Sequence, residues 1–521
     1  MSQVSGAIMA TDFTSPQLDY AALAPILILF AASCVGVLVE AFVPRPVRHL
    51  TQFGLSLLAL VGALIAVARM AGSGRRVLTS TFALAVDGPT LFLQGTLAVL
   101  GMVALLLVAE RSLEPGGPFV AQAAVTVGGE ADRRQAENDP GATEVFPLTL
   151  FALAGMMVFV AANDLLTMFV ALEVFSLPLY LLCALARRRR LISQEAALKY
   201  FLLGAFASAF FLFGMALVYG FAGSVTFRAV HAAARDATTS PVLLFGGIAL
   251  VSVGLLFKVA AVPFHIWTPD VYQGAPTPIT ALMAACTKVA AFGGLLRVLY
   301  VAFDRAQWDV QPVIGAIAGL TMLVGAVLAV TQTDIKRLLA YSSIANAGYL
   351  LVGALAFSRD GLSSSLFYLV AYGFAVIAAF GVVTLVRDPD GEATHLSRWA
   401  GLGRRAPLYA AIFTFLLLAF AGIPLTSGFT SKFAVFGAAL GSDQVWLVIV
   451  GVVSSMVLAF PYLRVVVMLW LSEPAEPSPS VSIPGAFTSA ALMLGVAATL
   501  LLGVWPAPVL DLANRAAEFV R

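Results

Sequence analysis

Four lysines and one glutamate are the residues whose type and position in this sequence suit them to chemistry. Of the 30 lysines and arginines only five are lysines, and four of these lie in long apolar stretches: Lys199, Lys258, Lys288 and Lys432. Glu173 lies equally deep, in TMFVALEVFSLPLY. A desolvated lysine loses its proton readily, whereas an arginine in a protein stays charged. The placement of lysine therefore predicts side chains that bind and release protons.

Each of these charges also has a structural interpretation, as a static ion pair or a side chain that extends to a membrane interface. Lys258 precedes Pro263 near the middle of one apolar stretch, and Lys288 lies deep in ALMAACTKVAAFGGLL, so function is favoured for both. For Lys199 the two interpretations are balanced, because Glu195 lies four residues earlier and would pair with it on a helix.

Other residues extend the candidate site. Lys432 follows Pro424 in AGIPLTSGFTSKFAVF, whose hydroxyl groups could hold water around the ammonium group. Glu173 is too deep for its carboxylate to reach an interface, so function is favoured here too. His265 follows Lys258 by seven residues, about two helical turns, and is a candidate proton relay; the alternative is a hydrogen-bonded core histidine.

The composition is that of a membrane protein. Hydrophobic residues make up 60% of the 521 residues and charged residues 11%, with a mean hydropathy of +0.95. The apolar runs are too long for the strands of a β-barrel, so we expect an all-α polytopic membrane protein. Runs that could cross a membrane number about 14 and begin near Ala21, Leu50, Pro89, Val145, Leu165, Glu195, Val242, Pro276, Pro312, Leu338, Leu362, Pro407, Gln444 and Ile483.

Two of these spans are interrupted in a similar way. Pro263 follows Lys258 in the first, and Pro424 precedes Lys432 in the second, which predicts two broken helices. The interruptions are five spans apart, so two five-helix units would have opposite orientations, as in inverted-repeat transporters. The predicted division is an N-terminal three-helix segment (1–110), a hydrophilic flexible loop (111–144), a first five-helix repeat (145–305), a second, inverted five-helix repeat (306–473) and a C-terminal helix (474–521).

The charges and the cysteines give three further expectations, which concern orientation, nucleic-acid partners and metal ions. The basic run 187–190 lies at a span end, and the positive-inside rule then favours an N-terminus outside the cell. The net charge of +2 gives no reason to expect a nucleic-acid partner. The three cysteines and four histidines show no metal-ligand spacing, so we expect neither zinc nor an iron–sulfur cluster in this chain.

Three segments resemble a known family: VPFHIWTPDVYQGAPTPITA (262–281), KRLLAYSSIANAGYLLVG (336–353) and AGIPLTSGFTSKF (421–433). They are similar to the subunit N family of proton-pumping NADH:quinone oxidoreductase, respiratory complex I. That family is one of the antiporter-like membrane subunits, which are related to Mrp cation/proton antiporters. The resemblance covers roughly Pro25 to Leu471.

The resemblance implies fourteen helices, two inverted repeats and a row of buried charges along the membrane midplane. It also implies a non-redox subunit of a proton-translocating enzyme in the bacterial cytoplasmic membrane, beside other antiporter-like and small core subunits. FMN, iron–sulfur clusters, NADH and quinone would bind to partner subunits, and no cofactor to this chain. The residues that match the family's charged and polar positions are Glu173, Lys258, His265, Lys288, Tyr341 and Lys432.

One hypothesis for the mechanism treats Glu173 and Lys258 as an ion pair that works as a switch. Closing the pair keeps Lys258 protonated, and opening it sends a proton toward Lys288 and Lys432. Two alternatives remain open. The chain would be a subunit of an Mrp-type cation/proton antiporter, or a non-conducting scaffold whose charges form static pairs between helices.

Overall fold

The computed structural model describes residues 18–79, 82–114, 117–120, 129–130, 141–236, 241–389, 391–474, 476 and 478–520. In these ranges the chain is a bundle of helices with five short strands. The all-α polytopic class predicted from composition is therefore confirmed. The helices of eight or more residues are α1 (Tyr20–Phe42), α2 (Arg45–Ser73), α3 (Gly88–Ala109), α4 (Val145–Ala161), α5 (Leu165–Cys183), α6 (Arg190–Ala222), α7 (Phe227–Asp236), α8 (Pro241–Val259), α9 (Trp267–Gly274), α10 (Thr277–Ala302), α11 (Gln307–Val330), α12 (Ile335–Ala354), α13 (Arg359–Val383), α14 (Pro407–Ala421), α15 (Ser427–Leu440), α16 (Val445–Leu471), α17 (Ala486–Val504) and α18 (Ala507–Ala516).

Within the described part of the chain, eleven helices are long and apolar enough to cross a membrane, and α4 and α14 are shorter apolar helices. Helices α3, α10 and α13 are the most buried of the eleven and form the centre of the bundle. The outer helices instead expose large apolar side chains, such as Phe206 and Phe213 on α6. Apolar groups on the outer surface suit contact with lipid. The number of spans and the inverted repeats stay predictions.

Short polar side chains begin several helices by accepting hydrogen bonds from free backbone N–H groups. Asp87 accepts from the N–H of Thr90 at 3.1 Å where α3 begins, and Asp334 accepts from Lys336 at 2.9 Å where α12 begins. These caps satisfy donors that a helix start leaves without intrahelical partners. They fix the N-terminal ends of α3 and α12.

The strands lie in the connections between helices. Strands β1 (Val77–Thr79) and β2 (Leu84–Val86) form an antiparallel pair in which Leu78 lies opposite Ala85. Strand β3 (Val386–Asp388) pairs antiparallel with β4 (Gly391–Glu392) on one side and with β5 (Ser480–Val481) on the other. The second sheet thus joins the connection after α13 to the segment that precedes α17.

Part of the predicted flexible loop 111–144 is fixed to the bundle. Glu114 is buried and forms ion pairs with Arg188 at 2.6 Å and with Arg387 at 2.9 Å. The N–H of Val120 donates to the carbonyl of Leu185 at 3.0 Å. The parts of the loop at 115–116, 121–128 and 131–140 lie outside the described residues, so the prediction of flexibility stays a prediction there.

Candidate functional site

Two spans are broken at the positions that the sequence indicates. The first break separates α8 from α9 and contains Pro263, and the second separates α14 from α15 and contains Pro424. In the first break the N–H of Val262 donates to the hydroxyl of Thr321 on α11 at 2.9 Å. A backbone group freed by the break is thus satisfied by a polar side chain, as a buried non-helical segment requires.

Lys258, in the last turn of α8, has a polar partner inside an aromatic enclosure. Its side chain is almost completely buried, with 3% exposed, and Nζ donates to the Ser176 hydroxyl at 2.7 Å. The ring centroids of Tyr200, Phe175 and Tyr180 lie 5.2, 5.3 and 5.5 Å from Nζ. Ring faces at these distances attract a cation. The enclosure therefore stabilises the ammonium group without neutralising it.

Glu173 lies one turn before Ser176 on α5 and is half-buried. Its carboxylate accepts a hydrogen bond from the Ser208 hydroxyl on α6. No nitrogen–oxygen contact of 4.0 Å or less joins Glu173 to Lys258, both of which belong to the described residues. In this arrangement Lys258 is bound to Ser176, so the ion pair of the switch hypothesis is open.

Lys288 follows a π-helical turn, Met283–Thr287, in the most buried span of the bundle. Its Nζ donates to both the carbonyl and the hydroxyl of Ser343 on α12, the hydroxyl at 2.7 Å. The ring of Tyr372 on α13 lies 5.2 Å from Nζ. Single π-helical turns are frequent at functional sites. Lys288 is thus held by neutral oxygen atoms at the centre of the protein.

Lys432, on α15, binds the end of the other half of its own broken helix. Its Nζ donates to the carbonyls of Phe420 and Ala421, which end α14, at 3.0 and 3.1 Å, and to the Ser455 hydroxyl at 2.8 Å. The partial negative charge at a helix C-terminus stabilises a cation there. Gly422 has φ +88°, and a Cβ at this position would lie 3.2 Å from the Lys432 side chain. Glycine therefore permits both the turn and the close approach.

A small cavity lies between the surroundings of Lys288 and those of Lys432. Its lining includes Lys432, Asn346, Tyr368 and Tyr372, and Tyr372 is the same ring that faces Lys288. The cavity volume is about 10 Å³, near the lower limit for one water molecule. The hydroxyl of Tyr368 donates to the side-chain oxygen of Asn346. Tyr372 thus links the cavity beside Lys432 to the surroundings of Lys288.

The remaining predicted residues have different surroundings. His265 is half-buried in the first break, and its Nδ1 atom is buried without a hydrogen-bond partner among the described residues. Tyr341, on α12, is half-buried and packs against the hydrophobic core. Lys199 has 42% of its side chain exposed and pairs with Glu195 and Asp270, each at 2.7 Å. These surroundings favour the structural interpretation of Lys199.

Lys336 is a buried charge that the predicted site does not include. It lies at the start of α12, just before the apolar run predicted to begin near Leu338, with 2% of its surface exposed. Its Nζ donates to the Ala275 carbonyl at 2.8 Å and to the Thr277 hydroxyl at 3.0 Å, and it lies 3.8 Å from the Glu392 carboxylate. Strand β4 and the connection between α9 and α10 enclose Lys336. The pattern of apolar runs in the sequence does not indicate either of these contacts.

A second missed feature is a fully buried ion pair between distant helices. Arg297 on α10 donates to Asp87 at the start of α3 at 2.7 Å, and both side chains are inaccessible to solvent. The N–H of Val520 also donates to Asp87 at 3.0 Å, and the ring of Phe519 lies 4.7 Å from the guanidinium group. The pair therefore holds the segment after α18 against the bundle.

Fold and site together define a polytopic membrane protein with buried lysines beside broken helices. Residues 162–458 match the family described as "NADH:quinone oxidoreductase/Mrp antiporter, TM". The chain is 69% identical over 518 residues to NADH-quinone oxidoreductase subunit N of Salinispora arenicola, with 98% of this chain and 100% of the relative covered. It is 61% identical over 505 residues to the same subunit of Saccharopolyspora erythraea, with 96% of this chain and 98% of the relative covered. The chain thus belongs to the NADH:quinone oxidoreductase/Mrp antiporter membrane family, which confirms the resemblance.

Solved structures show the same fold. A chain of respiratory complex I from Thermus thermophilus with bound aureothin is 32% identical, with a TM-score of 0.75, and the match covers 94% of this chain and 99% of that chain. A chain of the Mrp complex from Dietzia sp. is 24% identical, with a TM-score of 0.80 and coverage of 96% and 97%. The second likeness concerns the fold alone.

Among the described residues no group of three or more His, Cys, Asp or Glu side chains is placed to hold a metal ion.

Proposed function

We propose that this chain is a proton-translocating membrane subunit of an NADH:quinone oxidoreductase and conducts H⁺ through Glu173, Lys258, Lys288 and Lys432. The observation that carries the proposal is the state of the three lysines. Each is buried in the apolar bundle, and its nitrogen donates to neutral oxygen atoms. Neutral partners stabilise the ammonium group but do not prevent it from releasing a proton. The relatives are named NADH-quinone oxidoreductase subunit N, which supports the same function for this chain.

The movable charge in this mechanism is Glu173. When its carboxylate approaches Lys258, the attraction of two unit charges 4 Å apart favours the protonated lysine by about 4 kcal/mol at an effective dielectric constant of 20. Moving one proton against about 150 mV requires about 3.5 kcal/mol. The free energy of opening and closing one ion pair is therefore large enough to move one proton across the membrane. The proton released by Lys258 passes to Lys288 and then to Lys432.

Other parts of the proposal concern the route and its surroundings. His265 relays protons at the first break and Tyr341 has a secondary role, whereas the ion pairs of Lys199 with Glu195 and Asp270 give it a structural role. The division into two five-helix repeats supplies one broken helix to each half. The chain lies in a bacterial cytoplasmic membrane with its N-terminus outside, which puts the buried Lys336 and the basic run 187–190 at the cytoplasmic end.

The energy for transport comes from other subunits in this proposal. NADH oxidation by FMN, electron transfer through iron–sulfur clusters and quinone reduction occur in partner subunits, and this chain holds no redox centre. The chain then contacts neighbouring antiporter-like and small core subunits within the bilayer and has no nucleic-acid partner. The complex as a whole is a translocating enzyme, and this chain is its non-redox membrane part.

The test replaces Lys258 or Lys288 with Met in the assembled complex. We expect proton pumping per NADH oxidised to fall by about a hundredfold, the size of effect that follows loss of a proton-transfer group. Arg404→Met, at an exposed arginine, is the matched control and should pump normally. Pumping is measured in proteoliposomes with a pH-sensitive dye, after assembly has been checked. Normal pumping by an assembled Lys288→Met complex would contradict the proposal.

An Mrp-type antiporter subunit is the second candidate, because the matching family includes both kinds of protein. Purification of the native complex separates the two candidate functions: copurified flavin and iron–sulfur absorbance supports the oxidoreductase, and Na⁺/H⁺ exchange without redox input supports the antiporter.

The third alternative, a non-conducting scaffold, requires static ion pairs. The open arrangement of Glu173 and Lys258 does not favour it, and Met variants that only prevented assembly would support it.

A further inference from the structure

A large cavity lies away from the buried lysines, between α2, α3, α13 and α18. Its volume is about 740 Å³, within the range of about 300 to 1,000 Å³ that ligand pockets occupy. Most of the wall is apolar and includes Leu64, Met70, Leu91, Val99, Val370 and Phe374. A cavity of this size and lining suits a hydrocarbon chain.

One end of the cavity is cationic. Arg75 and Arg76, which follow α2, and Arg515, on α18, all line it. Arg75 pairs with Asp19 and Arg76 with Glu518, each at 2.9 Å, and the two arginine side chains are 57% and 44% exposed. Arg515 is exposed and forms no ion pair with any residue that the structure describes. Exposed ion pairs contribute little free energy, so an incoming phosphate can compete for all three guanidinium groups.

The acidic group in the cavity wall does not oppose this charge. Asp87 lines the same end, but its carboxylate is fully buried and accepts from Arg297 at 2.7 Å and from the N–H of Val520 at 3.0 Å. The buried pair is neutral overall. Arg75 and Arg76 are matched by Asp19 and Glu518, so among the described residues Arg515 supplies the unmatched positive charge at the mouth of the cavity.

The depth of the cavity matches one leaflet of a bilayer. Along α3 the lining runs from Gly88 to Leu100, which at 1.5 Å per residue is about 18 Å. Half of the hydrocarbon core of a bilayer is about 15 Å thick. A molecule with its anionic group at the arginines would thus place its hydrocarbon chain along the cavity and end near the midplane.

We propose that this cavity binds an anionic phospholipid, with the phosphate on Arg515, Arg75 and Arg76 and one acyl chain along α3. An acyl chain gains little by leaving a bilayer for an equally apolar cavity, so the chain alone does not select a lipid. The arginines supply the selection, because basic side chains at a membrane surface attract anionic headgroups. The site thus distinguishes phosphatidylglycerol from phosphatidylcholine by charge.

The test uses the full chain in its native complex, in vesicles of phosphatidylcholine that contain a photoactivatable phosphatidylglycerol with a diazirine on one acyl chain. We expect crosslinks on the α2, α3 and α13 segments that line the cavity. Arg515→Ala should lower this labelling by about fivefold, the contribution of one basic side chain near an anionic surface. Arg305→Ala, at an exposed arginine outside the cavity, is the matched control and should leave labelling unchanged.

Filling the cavity gives an independent variant. Val99→Trp should reduce labelling without touching the arginines. If it fails to assemble, Gly95→Leu replaces it, because a Cβ at Gly95 would lie an ordinary 3.6 Å from Val67. Equal labelling by the phosphatidylcholine analogue, or unchanged labelling in Arg515→Ala, would overturn the proposal. Crosslinks from the lining to another polypeptide would overturn it as well, since a helix of a neighbouring subunit would then fill the cavity.

Discussion

Lys258 and Lys432 each lie beside a broken helix, but different groups hold them. Lys258 donates to one hydroxyl, Ser176, inside a set of aromatic rings, and Glu173 lies one turn from that hydroxyl. Lys432 donates to the last two carbonyls of α14 and to the hydroxyl of Ser455. The first lysine has a carboxylate that can approach it, and the second is fixed by the backbone.

One residue type can therefore have two roles in the proposed route. The proton affinity of Lys258 changes when Glu173 moves, because a nearby negative charge favours the protonated form. The surroundings of Lys432 are helix carbonyls, which do not move independently of the break. In the proposed mechanism Lys258 is thus the switch and Lys432 the acceptor with a constant affinity.

The largest effect is expected from giving Lys432 a carboxylate of its own. In Ser455→Asp a negative charge replaces the hydroxyl that lies 2.8 Å from Nζ. The added attraction, about 4 kcal/mol at an effective dielectric constant of 20, would retain the proton roughly a thousandfold more strongly. Proton pumping per NADH, measured in proteoliposomes, should then fall to background.

Ser455→Asn is the control for that variant, since it adds similar bulk without charge. It should pump at close to the rate of the unmodified complex. If Ser455→Asp pumped as well as Ser455→Asn, the constant affinity assigned to Lys432 would have no part in transport.

A smaller effect is expected from Glu173→Gln, which removes the movable charge and keeps a group that can accept from Ser208. Lys258 would keep its bond to Ser176 but lose the attraction of about 4 kcal/mol that drives its proton, so pumping should fall by more than about tenfold. Initial rates of proton uptake, compared with NADH oxidation in the same vesicles, measure the change. Unaltered pumping would show that Lys258 works without an acidic partner.

The smallest effects come from the two hydroxyl partners, and they should be unequal. Ser176→Ala removes the hydrogen-bonded partner that the structure shows for Lys258, and a bond to a charged group contributes about 1.5 kcal/mol, so pumping should fall by about tenfold. Ser455→Ala leaves Lys432 its two carbonyls and should cost at most about threefold. Equal losses in pumping rate would remove the contrast between the two lysines.

Much of this architecture was predictable from the sequence, because the signals were local. Long uncharged runs require helices in a membrane, and Pro263 and Pro424 break the i to i−4 hydrogen-bond pattern wherever the fold places them. The depth of Lys258, Lys288 and Lys432 within their runs followed from counting flanking apolar residues. Local rules therefore located the class of fold, the breaks and the candidate charges.

The partners of those charges depend on contacts between distant segments. Lys336 lies beside the basic Arg337 before an apolar run, which is the pattern of a loop, and only the enclosing α9–α10 connection buries it. Arg297 and Asp87 are separated by 210 residues, and each lies close to a span end, where an interfacial anchor is the ordinary interpretation. Ser176 as the partner of Lys258 likewise depends on a contact between α5 and α8, because the two residues are 82 positions apart.

The most direct test of the account is Lys258→Arg in the assembled complex, with protons translocated per NADH oxidised as the measured quantity. Arginine keeps a positive charge and hydrogen-bond donors for Ser176 but does not release a proton. The account predicts that translocation falls to background while the complex assembles and binds NADH normally. Translocation at the ratio of the unmodified complex would show that Lys258 acts only as a fixed charge and would contradict the account.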